Sequence, residues 1–161
     1  MAIDRNLSWV LRHGELATDT SDSYPFVGGS PIKIVSGTVS GNLGTSDMFN
    51  GIAWNSQADD EADQSLSTFI LPPAIVTLKA ETNGVKPWKT YGGLTWAVGD
   101  LLRPIVSTGT TCVAVWTNEV YSSEVSKAVY VYPAKIIAME GTSSVPTSMT
   151  ILVTPCLKIL A

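Results

Sequence analysis

From residue 26 to its end the chain is a succession of short apolar, β-branched runs cut apart by clusters of Gly, Pro, Asn and Ser. Each run is about long enough to cross one sheet, and each cluster can reverse the chain, so the pattern builds a sandwich or barrel rather than βαβ units. The clearest expected strands are Pro31 to Val39, Gly51 to Asn55, Leu66 to Leu71, Ile75 to Ala80, Leu101 to Val106, Val113 to Thr117, Ala128 to Tyr132, Ile136 to Glu140 and Met149 to Leu160. Together these runs imply one closed or nearly closed all-β structure. Alternation in Ile32-Lys33-Ile34 and Val129-Tyr130-Val131-Tyr132 sends neighbouring side chains to opposite faces. Helical patterning is weak. Asp4 to His13 puts Leu7, Val10 and Leu11 on one face ahead of Gly14, and Glu119 to Ala128 fits a short connecting turn. Neither changes the fold class.

The runs also nominate a core. Gly51, Ile52, Ala53, Val98, Leu101, Val113, Val115, Ile151 and Val153 are expected inside, because their runs are bounded by turn residues and rich in β-branched types. Trp54 and Trp116 follow apolar residues within strands and read as core as well. Cys112 and Cys156 lie in apolar β-like runs and read as two buried free thiols rather than a disulfide scaffold.

Composition bounds the partners. A chain of 161 residues supports one domain, and 45% hydrophobic content is enough to offset the entropy of folding. Only 15% of residues are charged, and Ser and Thr are abundant in stretches such as Thr108 to Thr111, so the surface is largely hydroxylic. Such a surface desolvates more cheaply than one covered in Lys and Glu, which suits a chain packed against neighbours. The net charge is −4 and no window gathers several Lys or Arg residues, which argues against nucleic acid or an anionic membrane as partner. The start, Met-Ala-Ile-Asp-Arg-Asn, lacks a basic stretch followed by an apolar one, so a soluble chain without a cleaved export signal is expected.

Residues 1–25 differ from the β domain expected over 26–161. They carry Asp4, Glu15, Asp19, Asp22 and a hydroxyl cluster from Thr18 to Ser23, with little that would pair as a strand. This segment reads as an extended arm. Its apolar side chains, Leu7, Trp9, Val10 and Leu11, cannot bury one another, so they are expected to insert into a neighbouring protein.

Chemistry has little to work with. The single histidine, His13, sits in the arm, neither cysteine has a histidine nearby in sequence, and no nucleophile elbow or phosphate loop occurs. No catalytic residue and no cofactor are expected. Asp59-Asp60-Glu61-Ala62-Asp63 lacks the glycine and terminal glutamate of a calcium loop and reads as a solvated loop, not a metal site. Asn6-Leu7-Ser8 matches a glycosylation acceptor without an export signal and reads as silent. Trp88, between Pro87 and Lys89, is the aromatic expected at the surface and available for a contact.

Three segments carry a resemblance. Met48-Phe-Asn-Gly51-Ile-Ala53, Ala97-Val-Gly99-Asp100-Leu-Leu102 and the final Thr150-Ile-Leu-Val-Thr-Pro155 resemble the small β-tulip cement proteins that decorate capsids of tailed bacteriophages, over roughly residues 27–160. In Gly99-Asp100 a turn glycine precedes a carboxylate able to bond local amides, a common way to start a strand. The resemblance implies a single β-barrel or β-tulip-like sandwich that binds the major capsid protein on the outer shell surface. It also implies a homo-oligomer, usually a trimer, that stabilises the shell by multivalent contacts. Two alternatives are another minor virion protein such as a head-fibre base, and a carbohydrate-binding β-sandwich with Trp88, Tyr91 and Trp96 as its platform.

Overall fold

The computed structural model describes residues 13–18, 26–41, 49–54, 66–80, 84–89, 93–106, 114–119 and 133–154. These form β1 (His13–Thr18), β2 (Pro31–Val35), β3 (Thr38–Ser40), β4 (Gly51–Ala53), β5 (Leu66–Ile70), β6 (Ala74–Lys79), β7 (Leu101–Val106), β8 (Ala114–Thr117), β9 (Ala134–Gly141) and β10 (Pro146–Val153). The protein is all-β, with no helix among the described residues. Strands β1-β3-β2-β4-β5 close into a small barrel, and β6-β10-β9-β7-β8 form a second, five-stranded sheet.

The run Pro31 to Val39, expected as one strand, is a hairpin. Val35 pairs with Thr38 across a two-residue loop in which Ser36 and Gly37 both have positive φ, 52° and 81°. Positive φ at both loop positions marks the type I′ turn, whose twist matches that of the flanking strands. The Ser-Gly dipeptide was the available turn signal, masked by the β-branched residues on either side. Ser36 bears the strain, since Asn tolerates this region far better than Ser does. Replacing Ser36 with Asn should therefore stabilise the fold by about 0.5–1 kcal/mol, read as a raised thermal midpoint; an unchanged or lowered midpoint would contradict the turn assignment. Beyond this hairpin, Asn50 prolongs the β2–β4 ladder with its side chain. Its Oδ1 accepts from Ile34 N at 2.6 Å and its Nδ2 donates to Ile34 O at 3.0 Å.

The expected arm over residues 1–25 needs correction. His13–Thr18 is β1, antiparallel to β5 from His13↔Ile70 to Ala17↔Leu66 and parallel to β3 at Ala17↔Thr38 and Thr18↔Val39. It is the stave that closes the barrel. His-Gly-Glu-Leu-Ala-Thr is poor in β formers, but bonding on both edges overrides propensity, and both partners lie far along the chain. Gly14 is needed here for space: a Cβ would lie 2.5 Å from Cζ of Phe69, whose ring covers the glycine from the paired strand. Residues 1–12 lie outside the described residues, as do 55–65, 107–113, 120–132 and 155–161. The candidate helices over Asp4 to His13 and Glu119 to Ala128 fall there except for His13, which opens β1, and Glu119; the carboxylate loop, both cysteines, Val113 and the run Ala128 to Tyr132 lie there entirely.

In the second sheet Met149, Ile151 and Val153 of β10, Ala74 and Leu78 of β6, Leu102 of β7, and Ala134 and Ile136 of β9 point inward and are buried. Proline fits inside β7 because that strand pairs with β9 only through Leu101 and Leu102 and with β8 from Arg103 to Val106. Among the described residues, no strand therefore runs along both sides of Pro104, which suits its missing N–H. Arg103 is buried and donates from Nε to Glu119 O and from Nη2 to Glu119 Oε2, both at 2.9 Å.

Of the expected core, Ile52, Ala53, Val115, Ile151 and Val153 are buried, and Gly51 lies inside with them. Val98 is 61% exposed and Leu101 44% exposed, which corrects the expectation for both. Val98 sits in the turn before β7, and Leu101 takes the outward alternate of its strand while Leu102 takes the inward one. Trp54, expected inside, is 52% exposed, because β4 ends at Ala53 and the ring falls beyond it.

The two sheets share one interior. One apolar cluster joins Phe49, Ile52 and Ile70 of the barrel side to Leu78, Leu102, Trp116, Ile136 and Ile151. The other joins Phe26, Ile32, Val39 and Phe69 to Val115. Trp116 is the joint: fully buried on β8, it donates from Nε1 to Gly29 O at 2.8 Å and meets Phe49 edge-on with centroids 5.4 Å apart.

Candidate interaction surface

Alternation gives the second sheet an outer face, and its side chains there form cross-strand rows. In the first row Ile75 of β6 pairs with Leu152 of β10, Leu152 with Lys135 of β9, and Lys135 with Leu101 of β7. All four side chains are exposed. The second row runs Thr77, Thr150, Ala138, with the two threonine hydroxyls 3.1 Å apart. The third runs Lys79, Ser148, Glu140, with Ser148 Oγ donating to Glu140 Oε2 at 3.0 Å. The face therefore grades from aliphatic through hydroxylic to charged.

A bulge enlarges the aliphatic end. The register between β9 and β10 shifts between Thr150↔Ala138 and Ile151↔Ile136, leaving Ile137 as the extra residue. Two consecutive side chains, Ile137 and Ala138, are consequently exposed, which strict alternation forbids. The adjoining turn, which carries the exposed Val98, is tied to β9 by Gly99 N to Ile136 O at 2.8 Å and Ile136 N to Asp100 O at 2.9 Å. Ile75, Leu152, Leu101 and Ile137 thus share one end of a face that in a freely solvated antiparallel sheet would be polar. Lys135 sits among them, able to lay its aliphatic stem along the leucines while its ammonium stays in water.

The turn beneath this end is rigidly built. Gly99 has φ of 101°, and Asp100 Oδ2 accepts from Ala97 N and from Asn118 Nδ2, each at 2.9 Å. That is the local amide bonding expected of the Gly99-Asp100 pair. Asn118 Nδ2 also donates to Thr95 O at 2.8 Å, fixing the end of β8 to the same turn.

Trp88, expected at the surface, is instead 5% exposed. Its segment is stitched to β8 by Trp116 N to Pro87 O and Lys89 N to Trp116 O, both at 2.9 Å, which turns the indole into the shared core. Lys86 caps the ring with Nζ 5.7 Å from its centroid. Trp96 is fully buried too. Leu7, Trp9, Val10 and Leu11 lie outside the described residues. The outward aliphatic rows escaped sequence reasoning because β6 and β10 carry apolar residues on both faces, so hydrophobicity does not reveal which set faces out. Among the described residues no group of three His, Cys, Asp or Glu side chains is placed to hold a metal ion, and no helix is long and apolar enough to cross a membrane. No family model matches the chain, and neither the curated proteins nor the solved structures provide a match.

Proposed function

We propose that this chain is a decoration protein of a tailed-bacteriophage capsid, seated on the outer surface of the major capsid protein and stabilising the shell by multivalent contacts. The observation that carries the reading is the exposed aliphatic end of the second sheet, held on a stiff β scaffold and bordered by hydroxyls. Its supports are the low charge, the hydroxyl-rich composition and the resemblance of the three segments named above. Burying each large aliphatic side chain of that face contributes about 1.5–3 kcal/mol, so a handful gives moderate adhesion per copy. Several tethered copies then multiply it through effective concentration. Leu7, Trp9, Val10 and Leu11 supply a second attachment point. The carbohydrate reading loses two of its three platform residues, since Trp88 and Trp96 are both buried, while Tyr91 lies outside the described residues.

The test is retention of the purified protein on intact particles of the virus that encodes it. Wild type should co-sediment with shells. Leu101→Glu and Leu152→Glu should each reduce retention roughly tenfold, while shifting stability by no more than about 0.5 kcal/mol, as exposed substitutions do. Trp9→Ala with Leu11→Ala should weaken retention separately. A wild type that does not bind shells, or binding indifferent to all four changes, would reject the proposal.

A further inference from the structure

Asn50 and Gly51 stand where β4 begins, and the fold calls for each of them for a separate reason. The Asn50 side chain bonds to both backbone groups of one residue on β2: Oδ1 accepts from Ile34 N at 2.6 Å and Nδ2 donates to Ile34 O at 3.0 Å. Only a side-chain amide sets an acceptor beside a donor as a peptide group does. Gly51 is favoured by crowding, since a Cβ there would lie 3.2 Å from Ile34 Cδ1 and 3.3 Å from Ile32 Cγ1. The barrel therefore carries an Asn-Gly pair, in which the glycine nitrogen, unhindered by any side chain, can attack the amide before it. We propose that Asn50 is a site of spontaneous covalent modification held in check by the closed barrel: when the β2–β4 end opens, Asn50 converts to aspartate or isoaspartate, and the converted chain no longer closes as tightly. This holds whatever surface the protein binds.

The chemistry needs only water and hydroxide. Gly51 N gives its proton to hydroxide and forms a bond to Asn50 Cγ, the Cγ–Nδ2 bond breaks, and ammonia departs to leave a succinimide. Water then adds to one ring carbonyl: breaking the new Cγ–N bond gives aspartate, and breaking the original backbone C–N bond gives isoaspartate. Folding sets the rate. Cγ has to turn back toward Gly51 N to be attacked, but both polar atoms of its amide are held by Ile34 on the facing strand, and Asn50 N donates to Ile32 O at 3.1 Å. A reaction that passes through a transiently open state proceeds in proportion to the open fraction. Asn50 is exposed, so water reaches the amide as soon as it turns. Either product spoils the joint. Aspartate replaces the Nδ2 donor with an anionic oxygen facing Ile34 O, acceptor against acceptor. Isoaspartate inserts a methylene into the backbone just before Gly51, the partner of Ile32 in the ladder.

The experiment incubates the full-length protein at mildly alkaline pH, folded in buffer and unfolded in concentrated urea. Residue 50 is followed by peptide mass spectrometry, with fragment ions that separate aspartate from isoaspartate. Conversion should be roughly tenfold or more slower in buffer than in urea, the protection expected when two neutral hydrogen bonds must break first. Gly14→Ala crowds the Phe69 ring and loosens the barrel at β1, so it should raise the rate in buffer and leave the rate in urea unchanged. Should that variant fail to fold, Val39→Ala, which hollows the same barrel, takes its place. Asn50→Asp, made directly, should fold with a lower thermal midpoint than wild type. Equal rates in buffer and urea, an Asn50 that stays unconverted in urea, a loosened variant that converts no faster than wild type in buffer, or an Asn50→Asp variant as stable as wild type would each overturn the proposal.

Discussion

Trp116→Ala is expected to lower the stability of the whole β body by about 3–5 kcal/mol, the range for truncating a buried large aromatic. The side chain is fully buried at the meeting of the two sheets, so its removal leaves a cavity that neither sheet can close alone. It also strips Gly29 O of the indole donor at 2.8 Å and Phe49 of its edge-on partner. Gly29 has little freedom to compensate. Its N–H is held by Ala53 O at 2.8 Å, and a Cβ there would come within 2.6 Å of Leu78 Cδ2. Denaturant unfolding of Trp116→Ala beside Trp116→Phe separates the contributions. Phe refills much of the volume and keeps a ring against Phe49 but cannot donate, so it should cost about 1–3 kcal/mol, the range for an orphaned buried acceptor. Both variants should unfold in one transition, because a single interior unites the sheets. A loss below about 1 kcal/mol for Trp116→Ala, or separate transitions for barrel and sheet, would contradict that architecture.

Gly141→Ala is expected to cost about 3–5 kcal/mol, combining backbone strain with overpacking. Gly141 ends β9 at the hairpin to β10 with φ of 91°. An added Cβ would lie 2.7 Å from Thr147 N, 2.8 Å from Val145 O and 3.2 Å from Pro146 Cα. All three are backbone atoms of the hairpin loop and the start of β10, so no rotamer change relieves the clash. The loop itself resists moving, since Thr142 and Val145 exchange backbone hydrogen bonds at 3.1–3.2 Å and Ser143 O accepts from Trp96 N at 2.7 Å. Gly93→Ala is the control. Its φ of 76° is also positive, but a Cβ there meets nothing within 4 Å, so it should lose only the conformational part, about 1–2 kcal/mol. Equal midpoints for the two variants in thermal unfolding would show the hairpin to be looser than the structure has it.

Much of this protein was legible in its residues. Short β-branched runs between turn residues determine an all-β fold, because such runs serve as strands wherever they pair, and the inward burial of Ile52, Val115, Ile151 and Val153 follows from the same pattern. The Gly99-Asp100 turn was legible because the Asp100 carboxylate accepts from Ala97 N three residues away, a local bond, whereas its ties to Asn118 and Ile136 come from the tertiary fold. What the tertiary structure alone decided depends on pairing across long sequence separations. His13–Thr18 becomes a strand because Ile70 and Thr38 bring partners to its two edges. Trp88 is buried because β8 draws its segment in, and Ile137 faces outward because one residue too many lies opposite β10. Which face of Ile75-Val76-Thr77-Leu78 looks out follows from the side on which the rest of the chain packs. Side-chain period is a local property of a strand, whereas the choice of buried face and the end of a sheet are properties of everything packed around it.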